Sequence, residues 1–221
     1  MSHYHQSNSH NLSCDYSNSD VYLRRLEGRN YFSQAGQDLF VLSMLQGKKH
    51  GYYIEIGGSD PFESNNTFLL EKDYSWKGFS LEIDSDLASK YNSKRLNHCI
   101  CADAVNFDYL AQMAKLSFPT QIDYLSIDID PPENTFNALL KSTSSTRFSV
   151  ITFEHDLYSH GGNYAELARS YLNQKGYILV IKNVKCFGRI FEDWYIDPGA
   201  VPMTIWQEFV ADEVEFCSIF R

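Results

Sequence analysis

The chain has 221 residues, of which 43% are hydrophobic and 21% charged, a composition typical of a globular domain and unlike that of a disordered chain or a coiled coil. With 19 basic and 28 acidic residues the formal net charge is −9, which disfavours a broad surface for nucleic acid or an anionic membrane. No apolar run approaches the roughly 20 residues of a membrane span, and no signal peptide is expected. The five cysteines lack zinc-type spacing, so we expect reduced thiols and a cytoplasmic location.

The order of predicted elements indicates the fold class. Residues 1–20 are rich in Ser, Asn and His and lack periodicity, which predicts a flexible arm before a single domain at residues 21–221. After a helix at residues 37–46, strands and helices alternate. Strands are predicted at residues 52–56, 78–83, 98–102, 122–128, 149–154, 177–182 and 214–220, and helices at residues 65–73, 86–91, 107–116, 133–141 and 164–175. This alternation predicts an α/β domain with a mostly parallel, doubly wound sheet, because parallel neighbours need helical crossovers.

Polar residues at the ends of the first three strands of this sheet predict a ligand site, since ligands of such sheets bind beyond the carboxyl ends of the strands. Glu55 is followed by Gly57 and Gly58, which allow the backbone to approach a ligand closely. Glu82 ends the second strand at the separation expected of a ribose-binding acid, and Asp103 follows the third, where it can accept from a base amine. S-adenosylmethionine combines a ribose, a base amine and positive charge. It suits this acidic edge better than NAD, whose G-x-G-x-x-G spacing is absent.

Several motifs, taken in order, resemble the FkbM family of S-adenosylmethionine-dependent methyltransferases. They lie at residues 31–41, 51–58, 65–72, 76–78 and 126–130, and the resemblance extends over residues 31–197. It implies a Rossmann-like, seven-stranded fold with an antiparallel last strand, and an enzyme that O-methylates a sugar or another small hydroxylated metabolite. The cofactor-binding residues it implies are Glu55, Gly57, Gly58, Glu82 and Asp103, and the predicted set is completed by Gln34, Ser59, Ile83, Ala104 and Asp128.

The candidate catalytic residues follow the fourth and fifth strands. Methyl transfer to a hydroxyl requires in-line approach and removal of the hydroxyl proton. Three alternatives remain open. A Mg²⁺ ion held by Asp128, Glu154 and Asp156 would lower the pKa of the hydroxyl. Alternatively, His155 acts as a general base with Asp128 and Asp130 beside it, or the acids are purely structural.

Two departures from the family pattern keep other functions open. Asp60, Pro61 and Phe62 occupy the place of a later glycine in the first loop, and Pro131 and Pro132 follow the fourth strand. The alternatives are a catalytically inactive binding or scaffold protein and, ranked lower, a nucleotide-sugar-modifying enzyme. We also predict that residues 192–199 form an insertion with a substrate-specific loop. Late aromatic side chains are expected to pack in the core or in a homodimer contact, or to stack on a sugar or a base; they are Tyr158, Trp194, Tyr195 and Trp206.

Overall fold

The computed structural model describes residues 24–160 and 163–220, without the side chains of residues 159 and 160. The flexible arm predicted for residues 1–20 lies outside these residues. The described chain begins with an antiparallel hairpin of β1 (Arg24–Leu26) and β2 (Arg29–Tyr31), which leads into helix α1 (Gln37–Met44).

Strands and helices then alternate as predicted, up to residue 154. The elements of this part are β3 (Tyr52–Ile56), α2 (Phe68–Tyr74), β4 (Lys77–Glu82), α3 (Ser85–Asn92), β5 (His98–Cys101), α4 (Tyr109–Lys115), β6 (Gln121–Ile127), α5 (Pro132–Thr143) and β7 (Arg147–Glu154). The chain continues through α6 (Leu157–His160), α7 (Tyr164–Gln174), β8 (Ile178–Cys186), β9 (Arg189–Ile196), α8 (Met203–Trp206) and β10 (Ala211–Asp212), with 3₁₀ turns at Gln207–Phe209 and Phe216–Ser218.

The main sheet confirms the predicted α/β class. Its strand order is β10-β8-β9-β7-β6-β3-β4-β5, and the five strands from β7 to β5 run parallel, while β9 is antiparallel to both of its neighbours. The chain moves outward from β3 through β4 to β5 and then returns to place β6 on the other side of β3. The strand order therefore reverses between β3 and β6, and this switch point is where open α/β sheets bind ligands.

Both faces of the sheet are covered, which explains why its central strands are continuously apolar. Helices α1 and α2 pack on one face over a core that includes Tyr53, Tyr124 and Trp194. Helices α4, α5 and α7 pack on the other face over a core that includes Ile54 and Leu125. The sequence supplies end signals for these helices: the side chain of Asp84 caps α3, that of Asp108 caps α4, and Pro132 begins α5.

The prediction for the last strand was wrong in position although right in direction. The antiparallel strand is β9, which occupies most of the segment predicted as an insertion, and residues 214–220 form a 3₁₀ turn with irregular flanks. Phe187 and Gly188 form the two-residue turn between β8 and β9, with φ of 54° and 75°. Because β9 fills the place of the seventh strand, the apolar C-terminal run packs its rings on one face of the sheet instead. Phe216 lies against Tyr31 and Phe220 against Trp194.

The helices of the described chain are too short or too polar to cross a lipid bilayer.

Candidate functional site

The carboxyl ends of β5, β4, β3, β6 and β7 lie side by side, and we call this part of the molecule the carboxyl edge. The pairing register brings the ends level, since Ile56 is opposite both Leu81 and Ile127, and Ile127 is opposite Phe153. The polar residues that follow these strands in the sequence therefore converge on one edge, as the parallel sheet predicts.

Gly57 permits the close packing at the centre of this edge. Its φ is +94°, and a Cβ atom placed there would lie 1.8 Å from the backbone oxygen of Asp128. The amides of Gly57 and Gly58 both donate to the carbonyl of Leu81 at 3.0 Å, and the amide of Asp128 donates to Ile56 at 2.9 Å. The predicted glycine pair thus has a structural role, because it lets the end of β3 fit between β4 and β6.

Glu82 lies at the end of β4 and joins two loops of the edge. Its Oε2 accepts from the amide of Ser59 at 2.9 Å and its Oε1 from the amide of Asp84 at 3.0 Å. Each carboxylate oxygen retains a further acceptor site. Ile83, the next residue, is 74% exposed, which is unusual for a large aliphatic side chain at the end of a buried strand. Glu82 and Ile83 together present a fixed acid beside an open apolar surface.

Asp103 follows β5, and the geometry of its loop is fixed locally. Its Oδ1 accepts from the amide of Val105 at 2.9 Å and its Oδ2 from the side chain of Asn106 at 2.6 Å. The side chain is exposed, whereas the neighbouring Ala104 is buried and its carbonyl accepts from Tyr109 at 2.9 Å. Asp103 is therefore accessible to a ligand on the β4–β5 side of the edge, and Ala104 helps to hold its loop.

Glu55 lies below the edge, not on it. It is 1% exposed, and its carboxylate accepts from Thr67 at 3.0 Å, Ser80 at 2.6 Å and Tyr91 at 3.2 Å. Burial raises the pKa of Glu55, although Arg95 and these hydrogen bonds oppose the shift. The direct cofactor contact predicted for Glu55 does not agree with this position, because its oxygens are buried and already bonded within the protein.

Arg95 holds the loop that follows β3, a role that the sequence did not indicate. Its side chain is fully buried, and its guanidinium donates to the carbonyl of Pro61 at 2.9 Å and to Asn65 Oδ1 at 3.0 Å. It forms an ion pair with Glu71 at 3.1 Å, and its guanidinium lies 4.6 Å from the ring centre of Tyr91. The only signal in the sequence was indirect: Glu55 and Glu71 fall in buried positions, and buried acids require a cationic or hydrogen-bonding partner.

The part of the carboxyl edge at the ends of β6 and β7, which we call its second half, carries carboxylates that face one another. Burial, followed by the neighbouring Asp128 carboxylate, raises the pKa of Glu154 well above its ordinary value. Burial also raises the pKa of Asp128, against the opposing hydrogen bond with Glu154. We interpret the pair as a protonated Glu154 that donates to an ionised Asp128. Asp128 is nevertheless an exposed residue of the edge, although its carboxylate lies against Glu154.

The predicted metal ligands do not form a metal site in this arrangement. Glu154 contacts both Asp128 and Asp156, yet among the described residues no three His, Cys, Asp or Glu side chains are grouped so as to hold an ion. Asp156 is 9% exposed, and Asp130 is exposed in the loop before α5. Mg²⁺ requires several oxygen ligands that converge on one point, and the described carboxylates do not converge in this way. The residues present therefore do not fit the ion.

His155 is not on the carboxyl edge, which contradicts its predicted role as a general base. Its side chain is fully buried, and its Nε2 lies 3.4 Å from Asp193 Oδ1. Asp193 in turn accepts from Arg169 Nε at 2.7 Å and from the amide of Asn183 at 2.8 Å. The imidazole thus belongs to a buried polar cluster between β7, β8, β9 and α7. A general base must reach the proton that it removes, and a buried side chain does not.

Gln34 lies between the first loop and the second half of the edge. The segment that carries it is fixed by Asp38, whose carboxylate accepts from the amide of Phe32 at 2.8 Å and from Ser33 Oγ at 2.6 Å. Ser33 also pairs with Ser64 of the loop after β3. The side chain of Gln34 is exposed and lines a cavity beside β9, so the structure places it nearer to the β7 side than to Asp103.

Comparison with known proteins supports the fold. No family model and no curated protein matches the chain. Among solved structures, the chain is similar to a protein assigned as an rRNA methylase from Clostridium thermocellum, with a TM-score of 0.50 and 14% identity over 75% of this chain and 96% of that chain. It is also similar to the human methyltransferase 10 domain containing protein, with a TM-score of 0.50 and 10% identity over 73% of this chain and 80% of that chain. The chain therefore has the Rossmann-like fold of these methyltransferases.

Proposed function

We propose that the chain is an S-adenosylmethionine-dependent methyltransferase that acts on a hydroxyl group of a small molecule. The observation that carries the proposal is the arrangement of side chains in the loops after β3, β4 and β5, which we call the first half of the carboxyl edge. There, the fixed carboxylate of Glu82, the exposed side chain of Ile83 and the exposed Asp103 follow adjacent strands of a methyltransferase fold. These three side chains match the ribose, the base face and the base amine of the cofactor.

The residues present fit this cofactor. Glu82 would accept from the ribose hydroxyls with its remaining acceptor sites, Ile83 would contact the base, and the loop from Gly57 to Ser59 would lie along the amino-acid portion. When bound, the cofactor supplies an electrophilic methyl group on a positively charged sulfur. Glu55 and Ala104 would act indirectly, because they hold the loops that make these contacts.

Asp128 is the residue that we assign to proton removal from the acceptor hydroxyl. It is the more exposed member of the carboxylate pair, and we assign the shared proton to Glu154, so that Asp128 is the ionised member. Burial, together with the charges of Asp156 and Asp130, raises the pKa of Asp128, which makes it a stronger base than an ordinary carboxylate. Asp130 contributes through this charge and lies in the exposed loop beside it. The mechanism needs neither His155 nor a metal ion.

The acceptor class is part of the proposal. Resemblance to the FkbM family favours oxygen over nitrogen as the methylated atom, and a sugar or a similar hydroxylated metabolite as the acceptor. A cytoplasmic location is proposed on the cysteines, because Cys99 and Cys101 are free thiols.

Titration calorimetry with S-adenosylmethionine tests the proposal. We expect saturable binding to the whole chain. The Glu82→Ala variant should lose about 1–3 kcal/mol of binding free energy, because the ribose hydroxyls would lose a charged acceptor. Glu63→Ala is the matched control, since Glu63 is an exposed acid in the same region that accepts no hydrogen bond from the edge loops.

The outcomes separate the alternatives. Absence of saturable binding at high micromolar cofactor would exclude the methyltransferase. Equal losses in Glu82→Ala and Glu63→Ala would show that general charge, not the ribose contact, determines affinity. A chain that binds the cofactor, yet gives no methyl transfer to a panel of sugars and other hydroxylated metabolites, would favour the inactive scaffold on the same fold.

A further inference from the structure

A cavity of about 330 Å³ lies beside the second half of the carboxyl edge. It is lined by Gln34, Tyr158, Cys186, Phe187, Arg189 and Phe191. The carbonyl of Phe191 accepts from the amides of His155 and Asp156, so the cavity directly adjoins the end of β7. A larger hollow, about 560 Å³, lies near the amino ends of β3 and β4, away from this edge. Of these two cavities, the smaller is the one that adjoins the carboxyl edge.

Exposed aromatic rings form the mouth of this cavity. Phe187 is 73% exposed and Tyr158 is 51% exposed. Phe187 also occupies the first position of a tight turn with φ of 54°, where Asn, Asp or Gly is the usual residue. A bulky side chain in this conformation costs free energy, as does its exposure to water. A ring that is exposed in spite of this backbone strain and loss of burial is well placed to contact a ligand.

Arg189 is the only charged residue among those that line the cavity. Its guanidinium lies 5.5 Å from the centre of the Tyr158 ring, and within the described residues no carboxylate lies within 4.0 Å of it. Arg169 and Arg147, by contrast, each form ion pairs with aspartates at 2.7 Å. The guanidinium of Arg189 therefore retains its donors for an anion, and a guanidinium binds carboxylate or phosphate in a bidentate manner.

Tyr158 connects the cavity to the carboxylates of the edge. Burial, followed by the charges of Asp156 and Glu154, raises the pKa of Tyr158, and Arg189 opposes the shift. The ring thus lies near the guanidinium of Arg189 and is also influenced by the acids at the end of β7. The anionic group of a bound molecule is therefore favoured at Arg189 and disfavoured near those acids.

We propose that this cavity binds a ring-containing acceptor that carries a phosphate or carboxylate group, with the anionic group on Arg189 and the ring against Phe187 and Tyr158. The proposal rests on the proposed function and makes it more specific, since it places the opposite side of the ring, with its hydroxyl, toward Asp128. A cationic acceptor is disfavoured because Arg189 repels it and already covers the face of Tyr158.

Fragment binding, measured by ligand-observed NMR on the whole chain without cofactor, tests the proposal. Two matched pairs are used as probes, phenyl phosphate with phenol and glucose 1-phosphate with glucose, together with inorganic phosphate and benzylamine. We expect the phosphorylated member of at least one pair to bind about tenfold or more tightly than its uncharged partner. Inorganic phosphate should bind more weakly than that fragment, because it lacks the ring.

Substitutions test which residues cause the preference for the phosphorylated fragment. Arg189→Gln should remove the preference for the phosphorylated fragment, and Arg189→Lys should retain part of it, since Lys keeps the charge but loses the bidentate geometry. Phe187→Ala should weaken both members of the pair. Lys77→Gln, which removes an exposed cation at the start of β4, is the control and should change nothing.

Three results would overturn the proposal: no preference for either phosphorylated probe, a preference that survives in Arg189→Gln, or tighter binding of benzylamine than of phenyl phosphate. These results leave cofactor binding untouched, because calorimetry with S-adenosylmethionine is an independent measurement. A chain that binds the cofactor but shows no anion preference disproves this inference alone.

Discussion

The two halves of the carboxyl edge satisfy their carboxylates in different ways. At the ends of β4 and β5, Glu82 and Asp103 accept hydrogen bonds from amides and a side chain of their own loops and from the amide of Ser59 in the loop after β3. At the ends of β6 and β7, Asp128 and Glu154 face each other, and burial raises the pKa of both. Because backbone amides have fixed positions, the first half is organised in the free chain. The charge distribution of the second half depends on which of its carboxylates are protonated.

This difference agrees with separate roles for the two halves, cofactor binding in the first half and proton removal in the second. A cofactor is the same in every turnover, so a preorganised site reduces the cost of binding it. Proton removal from an acceptor needs a group whose charge state can change. Exposed aromatic rings and an uncompensated guanidinium also lie on the second half, where a variable acceptor would be recognised.

The largest effect is expected from breaking the support below the first half. Arg95→Met would leave Glu55 and Glu71 buried without their cation, and we expect a loss of about 3–5 kcal/mol in the free energy of unfolding. Urea denaturation followed by circular dichroism measures this loss. Lys77→Met, at an exposed position, should stay within about 0.5 kcal/mol of the unchanged chain. A loss below about 1 kcal/mol for Arg95→Met would mean that the buried cluster contributes little.

A smaller effect, at the centre of the edge, is expected from Gly57→Ala. The added Cβ would overlap the backbone of Asp128 at a φ of +94°, so the strand ends must move apart, at a cost of about 3 kcal/mol. We also expect loss of cofactor binding, measured by calorimetry.

Gly176→Ala is the matched control for this substitution. Gly176 has a φ of +78° but no atom within 4 Å of an added Cβ, so only the backbone term of about 1 kcal/mol applies. Similar losses in the two variants would show that the close contact between Gly57 and Asp128 does not matter.

Substitution of a buried acid tests the second half through the pH dependence of stability. Glu192 pairs with Glu154 across β7 and β9 and is 2% exposed, and burial raises its pKa well above the ordinary value. The folded chain then holds a proton that the unfolded chain releases above about pH 4.3, so unfolding free energy falls as pH rises from there. Glu192→Gln should remove the part of this decline that is due to Glu192 and be more stable at pH 8 by about 1–2 kcal/mol. Urea denaturation at pH 5 and pH 8 measures it.

The smallest effect, of opposite sign, is expected at Asp60 in the first half. Burial acts to raise the pKa of Asp60, but hydrogen bonds from Lys90 and from the amides of Glu63 and Phe62 outweigh it and lower the pKa. Its stabilisation is therefore present above the ordinary pKa and lost as pH falls. Asp60→Asn should cost about 0.5 kcal/mol at pH 7, because the ion pair is partly exposed, and progressively less as pH falls through the lowered pKa of Asp60. If the same pH response appeared in Glu192→Gln and Asp60→Asn, the two halves would not differ as described.

The fold from β3 to β7 could be predicted because each strand there is a short, mostly apolar run that ends in or is soon followed by polar residues, whereas the hairpin of β1 and β2 was not predicted. β9 could not, because Glu192 and Asp193 lie in its interior and such acids are typical of loops. What makes them acceptable in a strand is partly a distant partner: Arg169, on α7, neutralises Asp193. Hydrophobic periodicity contains no information about this pairing.

The candidate site shows the same limit. Residue types at strand ends located Glu82, Asp103 and Asp128 at one edge, because parallel register brings such positions together. The direction of the side chains could not be read from the sequence, so Glu55 and His155 were placed at the edge although both are buried. Arg95 was missed because its contacts to the first loop span about 30 residues of sequence.

Hydrogen exchange measured with and without S-adenosylhomocysteine tests the central claim most directly, namely that the first half of the carboxyl edge is the cofactor site. We predict slower exchange in the loops around Ser59, Ile83 and Asp103, and little change around Phe187 and Arg189. Slower exchange confined to the hairpin of β8 and β9, or no change anywhere at saturating ligand, would contradict the account.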